Sequence, residues 1–179
     1  MMNLNETGQP GETELLIVFA DLTNFSRLSM KRSSLETFSH LSRIYEMTCD
    51  QVEAADGAVI KFIGDESLSI FPANRIDKGI TAMLKLKKDV DSDNRRNGID
   101  SQLKVRCHFG KPLLGLIGGR SDKRPDVIGN DVNICAMLRS NGFVMTAETF
   151  RKLKPETRTL FKKHTPAITY IPLDEAHKD

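Results

Sequence analysis

Hydrophobic residues recur with clear periods along most of this chain, and those periods predict its first elements. An uninterrupted apolar run over Leu15–Ala20 predicts a strand that is buried on both faces. Ser33 and Glu36 have the spacing of a capping box, which predicts the start of a helix. From Leu35 to Val52, apolar side chains then repeat mostly every three residues. This spacing places them on one face of an amphipathic helix. The chain therefore begins with a buried strand followed by a helix that packs against it.

The remaining periods extend this pattern into a mixed fold. Two β-type runs at Val59–Ile63 and Ser67–Phe71 flank a Gly-Asp turn and predict a hairpin. A second helix is predicted over Ile76–Val90, followed by a polar turn over 91–98. The later elements are predicted as strands over 103–108 and 113–117, a charged loop over 121–125, a helix over 131–139, a strand over 143–146, a short helix over 148–153 and a last strand over 167–171.

The order of these elements, β-α-β-β-α-β-β-α-β-α-β, predicts an α+β fold. Its first part suits a split βαβ, ferredoxin-like palm, with a central, mostly antiparallel sheet and helices packed on it. Residues 1–13 show no periodicity and are predicted to be a flexible leader, with 175–179 as a tail. A single domain is therefore expected over 14–174.

Composition narrows the classes of protein that this chain can represent. A length of 179 residues suits one domain, and a net charge of +2 gives no case for a nucleic-acid partner. The longest apolar run has six residues, far short of the roughly 20 that span a membrane, and the N-terminus does not resemble a signal peptide. Cys49, Cys107 and Cys135 form no metal-spaced pair and are expected to be small buried residues. We therefore expect a cytoplasmic protein.

Two acidic residues stand out by their positions. Asp21 directly follows the buried strand, and Asp65 lies in the turn of the predicted hairpin. In a split βαβ fold the first strand lies beside that hairpin, so the two carboxylates can meet at one sheet edge. They would repel each other unless they were protonated or bridged by a cation such as Mg²⁺. Spacing alone also allows two separate, solvated acids.

Four segments in order resemble the motifs of class III nucleotidyl cyclases, and the resemblance runs from about residue 15 to 173. They are FADLTNF at 19–25, KFIGDE at 61–66, HFGKPLLGLIG at 108–118 and DVIGNDVN at 126–133. The resemblance implies conversion of a nucleoside triphosphate to a 3′,5′-cyclic monophosphate and pyrophosphate, with two Mg²⁺ or Mn²⁺ ions per site. It further implies that the side chains of Asp21 and Asp65 and the backbone carbonyl of Leu22 are metal ligands.

Base selection, by the same resemblance, would depend on Lys61 and Asp126. A lysine only donates and an aspartate only accepts, which complements N1 and the exocyclic amine of adenine and mismatches guanine. The resemblance therefore implies ATP as the substrate. Taken singly, Lys61 could be an outward-facing strand residue and Asp126 an acid in a loop before a helix.

The resemblance also assigns Asn133, as a catalytic residue that orients the ribose. Four residues later, where the family has an arginine that stabilises charge on the phosphate, this chain has Met137. Arg139 would lie about 200° round the predicted helix from Met137 and would not replace that arginine. Loss of one such donor typically costs about 10²–10³ in rate, so weak turnover is expected.

Two further positions are less sharply defined. The family's late triphosphate lysine corresponds to His164, with Lys162 and Lys163 adjacent, and the sequence does not choose among them. His108 lies on the polar face of its predicted strand and is expected to be structural. A solvated turn is the ordinary interpretation of the lysine pair.

The family's half-sites come from different protomers, so the resemblance implies a homodimer with sites at the interface. A regulatory partner in trans is a further expectation. Three functions remain open: a weak adenylate cyclase, a degenerate homologue that binds ATP and metal as a regulatory or heterodimer subunit, and a palm-like domain used only for protein contacts.

Overall fold

Two sheets and six α-helices make up the described part of the chain, residues 9–165 and 167–175 of the computed structural model. The strands are β1 Gly11–Glu12, β2 Leu15–Leu22, β3 Ala58–Ile63, β4 Glu66–Pro72, β5 Leu103–Gly110, β6 Leu113–Gly118, β7 Lys123–Ile128, β8 Phe143–Thr146, β9 Phe161–His164 and β10 Thr169–Pro172. The helices are α1 Phe25–Ser29, α2 Ser34–Ala54, α3 Ile76–Arg96, α4 Asn130–Met137, α5 Ala147–Lys152 and α6 Pro155–Arg158, with a 3₁₀ turn at Ala73–Arg75.

The larger sheet has the strand order β3-β4-β2-β5-β8-β10-β9, and the smaller has β1-β6-β7. Among the described residues, β5 and β8 form the only parallel strand pair, and the other pairs are antiparallel. This arrangement confirms the α+β class and the mostly antiparallel central sheet.

Strand β2 lies in the interior of the larger sheet, between β4 and β5, and both of its faces are apolar. Leu16, Val18 and Ala20 belong to the core that includes side chains of α2 and α3. Leu15, Ile17 and Phe19 belong to a second core on the opposite face, with side chains of β6, β7 and α4. Since side chains alternate along a strand, Asp21 lies on this second face.

The apolar stripe of α2 is only partly buried, contrary to the prediction. Ile44 and Val52 are buried in the core, but Leu35 and Phe38 in the first turns are 74% and 71% exposed. The capping box between Ser33 and Glu36 is present and satisfies the first backbone groups of the helix. The helix can therefore begin before its apolar face reaches the core.

The second helix is longer than predicted and extends to Arg96. Its polar end is not a turn, because Asp91 and Asn94 are buried and bonded there. Asp91 Oδ1 accepts the Leu103 N–H at 2.8 Å, and the Asn94 Oδ1 lies 2.8 Å from His40 Nε2. Burial raises the cost of ionising His40 and lowers its pKa, which the hydrogen bond to Asn94 partly opposes.

Three regions predicted to be irregular contain strands. Residues 11–12 of the predicted leader pair with β6, and the predicted charged loop over 121–125 contains the start of β7. Strand β9 was predicted only as a turn, and it pairs with β10. The side chains of these three strands show only weak alternation between polar and apolar residues. Pairing with neighbouring strands, and not the local sequence pattern, therefore determines that these segments are extended. Residues 1–8 and 176–179, which complete the predicted leader and tail, lie outside the described residues.

The predicted burial holds for two of the three cysteines. Cys107 and Cys135 are buried, Cys49 is partly exposed, and all three are free thiols. No helix in residues 9–165 and 167–175 combines the length and the apolar character needed to cross a bilayer.

Candidate active site

The acid pair, Asp21 and Asp65, meets at the edge of the sheet where β2 ends. Asp65 lies in the turn between β3 and β4, and its Oδ2 accepts the Leu22 N–H at 3.2 Å. Burial, and next a hydrogen bond with Asp21, raise the pKa of Asp65 to about 6. The topology thus brings the two carboxylates predicted from sequence into contact, in a partly desolvated site that favours added positive charge.

The turn that carries Asp65 is held from α2. Tyr45 stacks on Phe62 with ring centroids 3.7 Å apart, and its hydroxyl donates to the Gly64 carbonyl. Gly64 has a φ of +62°, a left-handed conformation that suits glycine. These contacts fix the tip of the hairpin, and therefore the position of the Asp65 carboxylate relative to β2.

Lys104 is a neighbour of the acid pair that the sequence motifs do not identify. It lies directly opposite Asp21 in the pairing of β2 with β5, and its Nζ is 2.5 Å from Asp21 Oδ2. The alternation of β5 was the available signal, since it places Lys104, Arg106 and His108 on one face. The partner of Lys104 became apparent only from the strand register.

The acid pair has the chemistry of a divalent-cation site that is completed by substrate. No group of three or more His, Cys, Asp or Glu side chains able to hold a metal occurs within residues 9–165 and 167–175. Mg²⁺ commonly uses one or two carboxylates together with substrate phosphates and water. Two neighbouring carboxylates, with the pKa of Asp65 raised by burial and by Asp21, fit that requirement. Leu22, the third expected ligand, contributes its amide to Asp65.

Lys61 and Asp126 also come together, although 65 residues separate them in sequence. The Lys61 Nζ lies 2.6 Å from Asp126 Oδ2, joining β3 of the larger sheet to β7 of the smaller one. Asp126 Oδ1 accepts the N–H of Val127 at 2.8 Å, which orients the carboxylate. Lys61 is 39% exposed, so its ammonium can reach a ligand.

Asn133 and Met137 are exposed side chains one turn apart on α4, as expected from their spacing. Met137 is 78% exposed and is the last residue of the helix. The predicted end at Arg139 is wrong, because Leu138 adopts an extended conformation. Arg139 therefore lies beyond the helix, and the angular argument against its replacing the arginine does not apply to it.

The candidates for the triphosphate contact lie on the edge strand β9. Lys162 donates to the Leu173 carbonyl at 2.8 Å, and Lys163 is exposed. Strand pairing from β5 through β8 and β10 places Lys162 and His164 on the sheet face of Lys104. Lys163 lies on the opposite face, together with the buried Phe161.

His108 has a structural environment, as predicted. Its side chain is buried, with Nδ1 3.0 Å from Thr146 Oγ1 and Nε2 3.2 Å from Asp131 Oδ1. Asp131 Oδ2 also accepts the Lys111 N–H, and the Asp131 carboxylate packs so closely on Gly110 that a Cβ there would lie 2.3 Å from its Cγ. The glycine-rich segment thus serves to dock the start of α4 on β5.

Comparison with known proteins identifies the same fold and family. The model of the adenylate and guanylate cyclase catalytic domain matches residues 9–168. An adenylate cyclase of Anabaena cylindrica is 21% identical over 141 residues, which cover 74% of this chain and 28% of the relative's length. This chain therefore corresponds to a little over a quarter of that relative.

Solved structures of both cyclase types share the fold. A bacterial light-regulated adenylyl cyclase superposes with a TM-score of 0.81 at 20% identity, covering 96% of this chain and 55% of the other. The guanylyl cyclase Cya2 gives a TM-score of 0.75 at 16% identity, covering 90% of this chain and 92% of the other. The family match spans most of the chain and agrees with this architecture, so the chain belongs to the adenylate and guanylate cyclase catalytic domain family.

Proposed function

We propose that this domain converts ATP to 3′,5′-cyclic AMP and pyrophosphate in the cytoplasm, as a slow adenylate cyclase. The ribose 3′-oxygen forms a bond to the α-phosphorus, the bond from that phosphorus to the pyrophosphate oxygen breaks, and the 3′-hydroxyl proton is released. The position of Asp65 at the end of β2, where its Oδ2 accepts the N–H of Leu22, the residue after Asp21, is the observation that carries the proposal. It supplies concentrated negative charge at a sheet edge of a cyclase-family domain.

Asp21, Asp65 and the backbone carbonyl of Leu22 would hold the divalent cations, two Mg²⁺ or Mn²⁺ per site. Bound there, the cations would supply Lewis acidity for the 3′-hydroxyl and charge neutralisation for the departing phosphates. For such binding Asp21 must exchange its ion pair with Lys104, which is 27% exposed. That exchange is feasible because a cation replaces a cation, so the Asp21 carboxylate is not left unpaired.

Lys61 and Asp126 would select adenine. The Lys61 ammonium would donate to N1, and Asp126 would accept from the exocyclic amine. The two side chains already contact each other, so adenine would insert between them. The base would then replace the ion pair by one hydrogen bond to each side chain. Guanine presents an N–H at N1 and a carbonyl at position 6, so both groups would be left unpaired.

Asn133 would orient the ribose, because it projects from the exposed side of α4. Met137 on the same side offers no charge or hydrogen-bond donor to the α-phosphate. Loss of one such donor typically lowers the rate by about 10²–10³. Slow turnover follows from this position.

A homodimer with composite sites is part of the proposal. Exposed apolar side chains surround the nucleotide-binding elements on β6, β7 and α4: Ile117, Ile128, Ile134 and Met137. Exposed apolar groups of this kind favour contact with a second copy. A regulatory partner in trans could occupy the same surface in a heterodimer.

The decisive experiment incubates purified protein with Mn²⁺ or Mg²⁺ and either ATP or GTP, and measures both products. We expect cyclic AMP and pyrophosphate in equal amounts, with little cyclic GMP. Absence of product at high enzyme concentration would reject the cyclase activity.

Met137 favours a second candidate, a degenerate homologue that binds ATP and metal as a regulatory or heterodimer subunit. This alternative predicts that ATP with Mn²⁺ raises the melting temperature without turnover. It also predicts that a partner supplying the missing arginine restores product formation.

A further inference from the structure

A series of buried hydrogen bonds connects α2 to the segment that follows the acid-pair strand. His40 on α2 is 3% exposed, and its Nε2 lies 2.8 Å from Asn94 Oδ1 on α3. Asn94 Nδ2 donates to the Ser101 carbonyl at 3.0 Å, and Ser101 Oγ donates to the Thr23 carbonyl at 2.6 Å. Thr23 lies two residues after Asp21. The series therefore ends beside the carboxylates that are proposed to bind cations.

Thr23 is held at three polar atoms although it lies just beyond the end of β2. Besides the Ser101 bond, its N–H donates to the Gln102 carbonyl at 2.8 Å, and its Oγ1 accepts the Gln102 N–H at 2.8 Å. Ser101 and Asn94 are themselves buried, and a buried polar group that loses its partner is destabilising. Release of one member of the series therefore leaves the next without its partner.

The hydrogen bonds of Asn94 determine which nitrogen of His40 carries a proton. The amide nitrogen of Asn94 donates to Ser101, so its oxygen is the atom that accepts from His40 Nε2. A neutral imidazole with its hydrogen on Nε2 satisfies this arrangement. A second proton, on Nδ1, would place a positive charge inside the core.

The surroundings of His40 oppose that charge. Burial lowers the pKa of His40 below its ordinary 6.5, which the hydrogen bond with Asn94 partly opposes. The positive charges of Arg43 and Arg32 lower the pKa further, and the negative charge of Asp93 raises it. Asp93 is itself paired with Arg43 at 3.4 Å. A protonated His40 would therefore turn towards solvent and break its bond to Asn94.

We propose that His40 is a positioning residue that holds the end of β2 through Asn94 and Ser101, and that protonation of His40 releases this end. This inference rests on the proposed function, because it assigns Asp21 and Leu22 to the cations. Every member of the series lies in the same chain as Asp21, so the effect arises within one half-site.

The sign of the pH dependence follows from the neutral form of His40. The folded state favours the neutral imidazole, so its contribution to stability is complete above pH 6.5 and is lost as pH falls through the lowered pKa. Cation affinity should fall over the same range. Asp65, with a pKa of about 6, also titrates there. The comparison therefore needs a variant that keeps Asp65 and has no titrating group at position 40.

The test measures Mn²⁺ affinity of the intact chain by calorimetry, without nucleotide, from pH 7.5 to pH 5. His40→Gln keeps a side-chain N–H for Asn94 and removes the titration. Ser101→Ala keeps His40 and removes the hydroxyl that reaches Thr23. Melting temperature and circular dichroism report folding.

Thr48→Val is the matched control. Thr48 is also buried on α2, and its Oγ1 donates to the Ile44 carbonyl at 2.7 Å. The substitution therefore removes a buried hydrogen bond of α2 that does not lead to residues 99–102. A loss of stability alone would act in Thr48→Val as well.

We expect acid to weaken Mn²⁺ binding about tenfold more in the wild type than in His40→Gln, as when a partner that orients a metal ligand is lost. The two proteins should bind Mn²⁺ equally at pH 7.5. Ser101→Ala should bind more weakly at pH 7.5 and show the smaller acid effect, because His40 no longer acts on Thr23. Thr48→Val should keep the wild-type pH profile.

Equal pH profiles of Mn²⁺ affinity in folded wild type and His40→Gln would overturn the positioning role and leave the proposed function intact. Ser101→Ala decides if His40→Gln does not fold, since a wild-type profile in Ser101→Ala would also overturn the role. A wild type that binds no Mn²⁺ at any pH would overturn the proposed function and this inference together.

Discussion

The acid pair and the elements proposed to bind nucleotide, β3, β7 and α4, lie on the same side of the larger sheet but are built in different ways. Asp21 is the second-last residue of β2, a strand that pairs on both sides, and Asp65 accepts the Leu22 amide in a turn that Tyr45 holds through Gly64. Lys61 and Asp126 contact each other across two sheets. Met137 lies at the open end of a helix of eight residues. The first region is rigid by its own contacts, whereas the second presents exposed side chains.

This difference indicates how a single chain can hold an acid pair fixed by its own contacts beside a proposed nucleotide-binding surface that has the uncharged Met137 at its edge. A partly buried carboxylate pair depends on its immediate neighbours, so the fold itself must supply them. Exposed groups can obtain their remaining contacts from a second copy of the chain. The comparison predicts large effects on activity from substitutions at the acid pair. Substitutions at Lys61 and Met137, on the proposed nucleotide-binding surface, should have smaller effects.

The largest effect is expected from Asp65→Asn. Loss of one cation-binding carboxylate removes charge stabilisation worth several kcal/mol, so cyclic AMP production should fall by about 10²–10³ or more. Mn²⁺ binding measured by calorimetry should weaken as well. Asp89→Asn, which alters an exposed ion pair with Lys85, is the matched control. Retained activity in Asp65→Asn would show that the acid pair is not catalytic.

A smaller effect is expected from Lys61→Met, which keeps a side chain of similar length and removes the ammonium donor. A hydrogen bond from a charged group is worth about 1.5–3 kcal/mol, so kcat/KM for ATP should fall about 10- to 100-fold. The value for GTP should change little, and the ratio of the two should therefore narrow. Lys78→Met removes a comparable exposed lysine paired with Asp56 and serves as control. An unchanged ratio would reject the role in base selection.

Met137→Arg should raise kcat by about tenfold or more, because it restores a cation on the exposed side of α4. KM for ATP should change less than kcat, since the added charge acts on the transition state. Met30→Arg is the control, because Met30 is also highly exposed and the substitution adds the same charge. Equal rates in wild type and Met137→Arg would mean that this position does not limit turnover.

The smallest expected effect is a pH dependence of the stability of the metal-free protein. The pKa of Asp65 is about 6 in the fold against an ordinary 3.8, so the protonated acid stabilises the folded state. That contribution is complete below the ordinary value and is lost as pH rises through about 6. In chelator, the melting temperature of wild type relative to Asp65→Asn should therefore decline between pH 4 and pH 6.5. A constant difference across that range would contradict the coupling of the two carboxylates.

The acid pair was predictable because it follows from local features joined by topology. The buried run before Asp21 and the turn at Asp65 are both visible in the sequence, and the split βαβ arrangement places them side by side. The Lys61–Asp126 contact was expected only through the family resemblance, since no periodicity links residues this far apart.

Other features could not be inferred because tertiary contacts determine them. The alternation along β5 predicts that Lys104 lies on its polar face. Only the register between β2 and β5 identifies Asp21 as its partner. The predicted end of α4 lies two residues too late, because Leu138 adopts an extended conformation that the sequence pattern does not signal. Leu35 and Phe38 fit the helical period, yet the core ends before it reaches them.

The ion pair between Lys104 and Asp21 has a consequence for how the domain survives without its cofactor. An ammonium group already offsets one of the two negative charges, so removal of divalent ions should leave the architecture standing. Treatment with a chelator should then inactivate the protein reversibly without unfolding it. The ions would be needed for catalysis and not for folding, so the folded polypeptide could persist wherever they are scarce.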